Sequence, residues 1–119
     1  MLEIRQEQID RLAEAASKNF EDRMLVHLQK FFPQHITALG EEKTRFLVRF
    51  GVEQAKTYGI ISERDVCKYI DLMVSFGVEF DIDPKLPWAS RILNDSAMKN
   101  PHFKTDTLFK AGLDHLAHQ

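Results

Sequence analysis

Four separate stretches of this chain repeat apolar side chains every three or four residues, and single glycines or prolines close most of them. That spacing places the apolar side chains on one face of a helix, and the polar residues between them fall on the other. In the first stretch, 6–31, the face is Ile9, Leu12, Ala13, Ala16, Phe20, Met24, His27, Leu28 and Phe31, and Pro33 marks its end. A proline has no N–H and pushes the residue before it away from helical angles. A short helix is expected from Pro33 to Leu39, closed by Gly40. The second long helix, Glu41–Tyr58, is expected to turn Phe46, Leu47, Phe50, Gln54, Ala55 and Tyr58 inward and to end at Gly59. Gly51 lies inside it, at a cost of about 1 kcal/mol against alanine, which points to close packing with another helix.

Ser62-Glu63-Arg64-Asp65 reads as a helix start. The serine caps free N–H groups, and the acids suit the positive end of the dipole. This helix should bury Val66, Tyr69, Ile70, Met73 and Val74 and stop at Gly77. Residues 78–87, VEFDIDPKLP, carry two prolines and form an ordered loop by this reading. A short helix then follows from Trp88 to Asn94, with Pro87 starting it. The last helix is expected over Lys104–Ala117 with Leu108, Phe109, Gly112, Leu113 and Leu116 inward. The chain therefore reads as one all-α domain over 1–119, a compact bundle of four main helices plus one or two short ones.

Charge and composition narrow the function classes. Sixteen basic residues against eighteen acidic ones give a net charge of −2, which argues against nucleic-acid binding, since that needs a strongly basic face. No apolar run approaches the ~20 residues of a membrane span, and the N-terminus has no apolar signal core. The one cysteine, Cys67, excludes an intramolecular disulfide and fits a reducing compartment, so a cytoplasmic location is expected.

No chemistry-bearing motif stands out. Glu79, Asp81 and Asp83 alternate and would point the same way in an extended strand, as ligands for a hard cation would. Lys85 and Leu86 follow where a calcium loop needs an oxygen donor and a glycine, so that motif fails. His115 and His118 can share a helix face, but no cysteine or glutamate nearby completes a zinc set. His27 falls in an apolar stripe, as a hydrogen-bonded core histidine would. Cys67 lacks the exposed turn of a nucleophile and reads as a packing residue. The five glycines are scattered singly, so there is no phosphate loop. No cofactor, metal or catalytic residue is assigned, and the chain is not expected to be an enzyme.

The aromatics are informative. Nine phenylalanines, two tyrosines and one tryptophan are many for a small bundle, and aromatics are enriched at interfaces. Phe31 and Phe32 are adjacent and cannot both point inward on a regular helix. Leu86-Pro87-Trp88 would pin the 78–87 loop, with the indole N–H bonded to a backbone carbonyl or an acid. Phe76, Phe80, Asp81, Asp83, Trp88 and Arg64 form the candidate partner-binding cluster. Arg64 is expected either to pair with Asp81 or Asp83 and hold the loop, or to touch the partner.

Tyr58-Gly59-Ile60-Ile61-Ser62-Glu63-Arg64-Asp65-Val66-Cys67-Lys68-Tyr69-Ile70-Asp71-Leu72-Met73, continuing from Phe76-Gly77-Val78 through Asp83-Pro84-Lys85-Leu86-Pro87-Trp88-Ala89, resembles a group of small bacterial proteins encoded near type VI secretion spikes and their toxic effectors. Phe32-Pro33 and Leu39-Gly40 extend the likeness loosely. The resemblance brings no catalytic motif. It implies an accessory role, an adaptor or co-chaperone that holds an effector or spike component before loading. The alternatives are an immunity protein that neutralises a toxin and a small metal-dependent enzyme or metal-binding domain. The partner is expected to be another protein.

Overall fold

The computed structural model describes residues 15 and 17–118. Among the described residues six α-helices follow one another: α1 (Lys18–Phe31), α2 (Pro33–Leu39), α3 (Glu41–Thr57), α4 (Glu63–Phe76), α5 (Pro87–Leu93) and α6 (Pro101–Ala117). One 3-10 turn, Phe80–Ile82, lies between α4 and α5, and no strand occurs among the described residues. The architecture is an all-α bundle of four main and two short helices, as the periodicity predicts.

The helix ends follow local chemistry. Ser17 is extended (φ −111°, ψ 154°) and its Oγ accepts the Phe20 N–H, so α1 starts at Lys18. The helix expected over 6–31 therefore does not run unbroken. Its part before residue 15 lies outside the described residues. Ser62 caps α4 by accepting the Asp65 N–H. Asn100 accepts the N–H groups of His102 and Phe103, with Pro101 at the first helical position. That start lies three residues before the expected Lys104. Asn100 is the cap and Pro101 opens the first turn. Gly59 (φ +78°) and Gly77 (φ +114°) end α3 and α4 with backbone angles that other residues rarely adopt.

Two buried faces differ from those expected. On α3 the inward row is Thr44, Val48, Gly51 and Ala55, while Phe46 is 68% exposed and Phe50 lies at the surface. The inward row is small, so α4 can approach closely. A Cβ on Gly51 would lie 2.6 Å from Ile70 Cγ1 and 3.0 Å from Met73 Sδ. On α6 the inward residues are Thr105, Leu108 and Gly112, with Leu113 and Leu116 exposed. The buried Thr44 and Thr105 hydroxyls donate to Gly40 O at the cap of α3 and to Pro101 O in the first turn of α6, so neither hydroxyl is left unpaired.

The five-residue connection 58–62 turns α4 back along α3. In contrast, α1, α4 and α6 all point the same way, because long connections holding other helices separate them. From α1 to α4 the pairs ascend in order, Arg23 with Glu63 (2.7 Å) and His27 with Asp71 (2.8 Å). From α4 to α6 they run from Asp65 with His102 (2.6 Å), through Lys68 with Asp106 (2.9 Å), to Phe76 with His115 (ring centroids 5.7 Å). The C-terminal ends of three helices consequently meet at one end of the bundle.

Candidate functional site

At that end the apolar residues outnumber what the core can absorb. Phe31, Phe32, Leu72, Phe76, Leu113 and Leu116 line a groove of about 410 Å³. Phe76 also borders a second depression with Val78, Ile82 and Pro84. Val78 and Glu79 are shared with a third of about 400 Å³, walled by Leu39, Phe46, Leu47 and Phe50. Their shared residues make the three depressions neighbours around the end of α4, and together they are called the trough below. Phe31, Ile82, Leu113 and Leu116 stand exposed along it. Full burial of such a side chain is worth about 1.5–3 kcal/mol, so covering several of them would be strongly favourable. Contiguous apolar surface with polar edges is how soluble proteins mark interaction sites.

The cluster expected from the sequence divides. Phe76 lines the trough and stacks edge-on against Trp88 (centroids 5.4 Å). Asp83 borders the second depression, and its Oδ1 accepts the Lys85 N–H. Phe80 is 1% exposed and packs on Tyr69. Asp81 is also buried and accepts from the Tyr58 hydroxyl (2.6 Å) and Gln54 Nε2 (2.8 Å). The 3-10 turn thus sends Asp81 inward while Glu79 stays exposed, so the alternating acids do not share a face. Trp88 is buried, and its N–H donates to His115 Nδ1 (3.4 Å), not to a carbonyl or an acid.

Arg64 is the clearest correction. It bonds Asp65 and Asp106, both at 2.6 Å, and neither Asp81 nor Asp83. Its place is the N-terminal end of α4, away from the trough. Asp65 is fully buried there. His102 Nδ1 approaches its Oδ2 to 2.6 Å without the alignment of a hydrogen bond. His118 turns back to Asp114 O while His115 meets Trp88, so those two histidines do not converge.

A second grouping borders the first depression. His27 Nε2 lies 2.8 and 3.1 Å from the Asp71 oxygens and 3.6 Å from Cys67 Sγ. A Cys–His–Asp proton relay needs the thiol on one ring nitrogen and the carboxylate on the other. Here both meet Nε2, so the histidine cannot pass a proton between them. Burial, with the Asp71 charge adding to it, pushes the Cys67 thiol up to about 11, which leaves little thiolate at neutral pH. Burial also raises Asp71, opposed by its bond to His27. The hydrogen-bonded histidine expected at 27 is present. The sequence signal for its partners was the i, i+4 spacing of Cys67 and Asp71 on one helix face.

Comparison with protein-family models, with curated proteins and with solved structures returns no match. No helix among the described residues is long and apolar enough to cross a membrane.

Proposed function

We propose that the chain is a non-enzymatic protein-binding module, an adaptor or co-chaperone that holds a type VI secretion effector or spike component before loading. The observation that carries the reading is the apolar groove at the joined C-terminal ends of α1, α4 and α6, with two further depressions beside it. A client helix laid into it would insert apolar anchors at helical spacing between Phe31, Phe76 and Leu113. Glu79 and Asp83 on its border would orient a basic client and speed the encounter. The likeness of residues 58–89 to proteins from spike and effector loci supplies the client class. Burial of the Cys67 thiol, which pushes it up to about 11, and the histidine that contacts its two neighbours through one nitrogen favour binding over nucleophilic catalysis.

The test is co-expression with the effector or spike protein encoded beside the chain, followed by size-exclusion chromatography with light scattering. A stoichiometric complex is expected, lost when Val78→Asp and Leu113→Asp are combined. No complex, or one indifferent to both changes, rejects the reading. A toxicity assay separates the immunity role, since a loading factor leaves a poisoned cell unprotected.

A further inference from the structure

His27 on α1 and Cys67 and Asp71 on α4 bring an imidazole nitrogen, a sulfur and a carboxylate oxygen within 4.8 Å of one another. The residues lie 40 and 44 positions apart along the chain, so the convergence belongs to the tertiary fold and to no local turn. All three are half-buried, and two of them, His27 and Asp71, border the open groove beside Phe31 and Leu72. We propose that this trio is a zinc site, with three ligands from the chain and a fourth position open to the groove.

Donor chemistry selects the ion. Calcium and magnesium take oxygen ligands, whereas a thiolate with an imidazole suits zinc. Tetrahedral zinc, with bonds of about 2.0–2.3 Å, holds its donor atoms about 3.3–3.5 Å apart. The His27 Nε2 to Cys67 Sγ distance of 3.6 Å fits this without movement. The 2.8 Å contact from Nε2 to Asp71 Oδ1 must open by roughly half an ångström, replacing a hydrogen bond with two metal bonds.

Asp71 Oδ1, Asp71 Oδ2 and Cys67 Sγ converge on one nitrogen, His27 Nε2, which can make only one good hydrogen bond. A divalent cation at that point would take a donor from each side chain. On coordination the Cys67 S–H proton leaves to solvent, His27 stays neutral with Nε2 as donor, and Asp71 binds as the carboxylate. The ion would tie α1 to α4 beside the trough.

Cobalt(II) titration of the full chain, purified with chelator, tests the site directly. One equivalent should produce a thiolate-to-cobalt charge-transfer band with the intense visible bands of a four-coordinate ion, and zinc should displace it. Zinc should also raise the melting temperature, reversibly by chelator. Cys67→Ser should abolish the charge-transfer band. His27→Gln and Asp71→Asn should each weaken binding at least about tenfold, because loss of an outer-shell partner alone commonly costs that much. His118→Ala serves as a control that keeps the site. The wild-type titration decides the matter even if a variant misfolds. Absence of the band and of any zinc-dependent melting shift overturns the proposal, as does a band that survives Cys67→Ser.

Discussion

Gly51 of α3 faces Ile70 of α4 so closely that a methyl group on its Cα would stand 2.6 Å from Ile70 Cγ1. Alanine at 51 would gain up to about 1 kcal/mol of helix propensity but incur an overpacking cost of about 1–3 kcal/mol. Ile70 Cγ1 sits on a β-branched stem with little freedom to move. Gly51→Ala should therefore destabilise by roughly 1 kcal/mol, visible in the denaturant midpoint. Gly112 differs, because its nearest neighbour is the terminal Leu72 Cδ2 at 2.7 Å. That methyl can swing aside, so Gly112→Ala should cost less than Gly51→Ala. The opposite ranking would mean that the α3–α4 seam is not the tighter one.

Asp81 anchors the 3-10 turn to α3 by accepting from Tyr58 and Gln54. Burial first, and the Asp81 bond second, push the Tyr58 phenol up to about 12. A hydrogen bond to a charged group contributes about 1.5–3 kcal/mol, so Tyr58→Phe should lower unfolding stability by an amount in that range. Asp81→Ala should cost at least as much, because it strands two donors at once. A double-mutant cycle should show strong non-additivity. Additive losses would dissociate the pair.

Helix boundaries were legible in the sequence because caps and glycines act locally. Ser62, Gly40, Gly59 and Gly77 mark ends that the structure reproduces. Ser17 caps by the same chemistry, yet it sits inside a continuous polar–apolar pattern that hid the break, and Asn100 caps a first turn whose residues lack the apolar repeat that marks the rest of the helix. Which face turned inward was less legible. Phe46 and Phe50 carry more apolar area than Thr44 and Gly51, and intrinsic hydrophobicity favours them as core. Close helix approach selected the small row instead. The same inversion on α6 leaves Leu113 and Leu116 in the trough. The parallel alignment of α1, α4 and α6 is a long-range property that no local pattern encodes. The His27–Cys67–Asp71 convergence depends on it.

Acid stability should report on Glu21. Its side chain is 11% exposed and is held by Arg49 and Arg45 at 2.9 Å. The Arg49 hydrogen bond, followed by that of Arg45, outweighs burial and holds the carboxyl below its ordinary 4.5. A lowered folded-state value means that the stabilisation is complete above pH 4.5 and is lost as pH falls through the folded value. Denaturant midpoints measured from pH 6 downward should fall less steeply for Glu21→Gln than for the parent, starting near pH 4.5. Salt should weaken the contribution only in part, because the carboxylate is buried while Arg49 is open to solvent. Identical acid limbs would remove Glu21 from the account.

Two leucines on α6 separate core from trough. Leu108 is fully buried, whereas Leu113 is 54% exposed on the wall of the first groove. Leu108→Ala should remove about 2–5 kcal/mol through lost burial and a residual cavity. Leu113→Gln, and likewise Phe46→Ser on α3, should stay within about 0.5 kcal/mol of the parent, as surface substitutions do. If the trough is the docking surface, those two variants should lose client binding at unchanged melting temperature. A large drop in stability for Leu113→Gln would place that side chain in the core, and the trough would then close as a feature of packing.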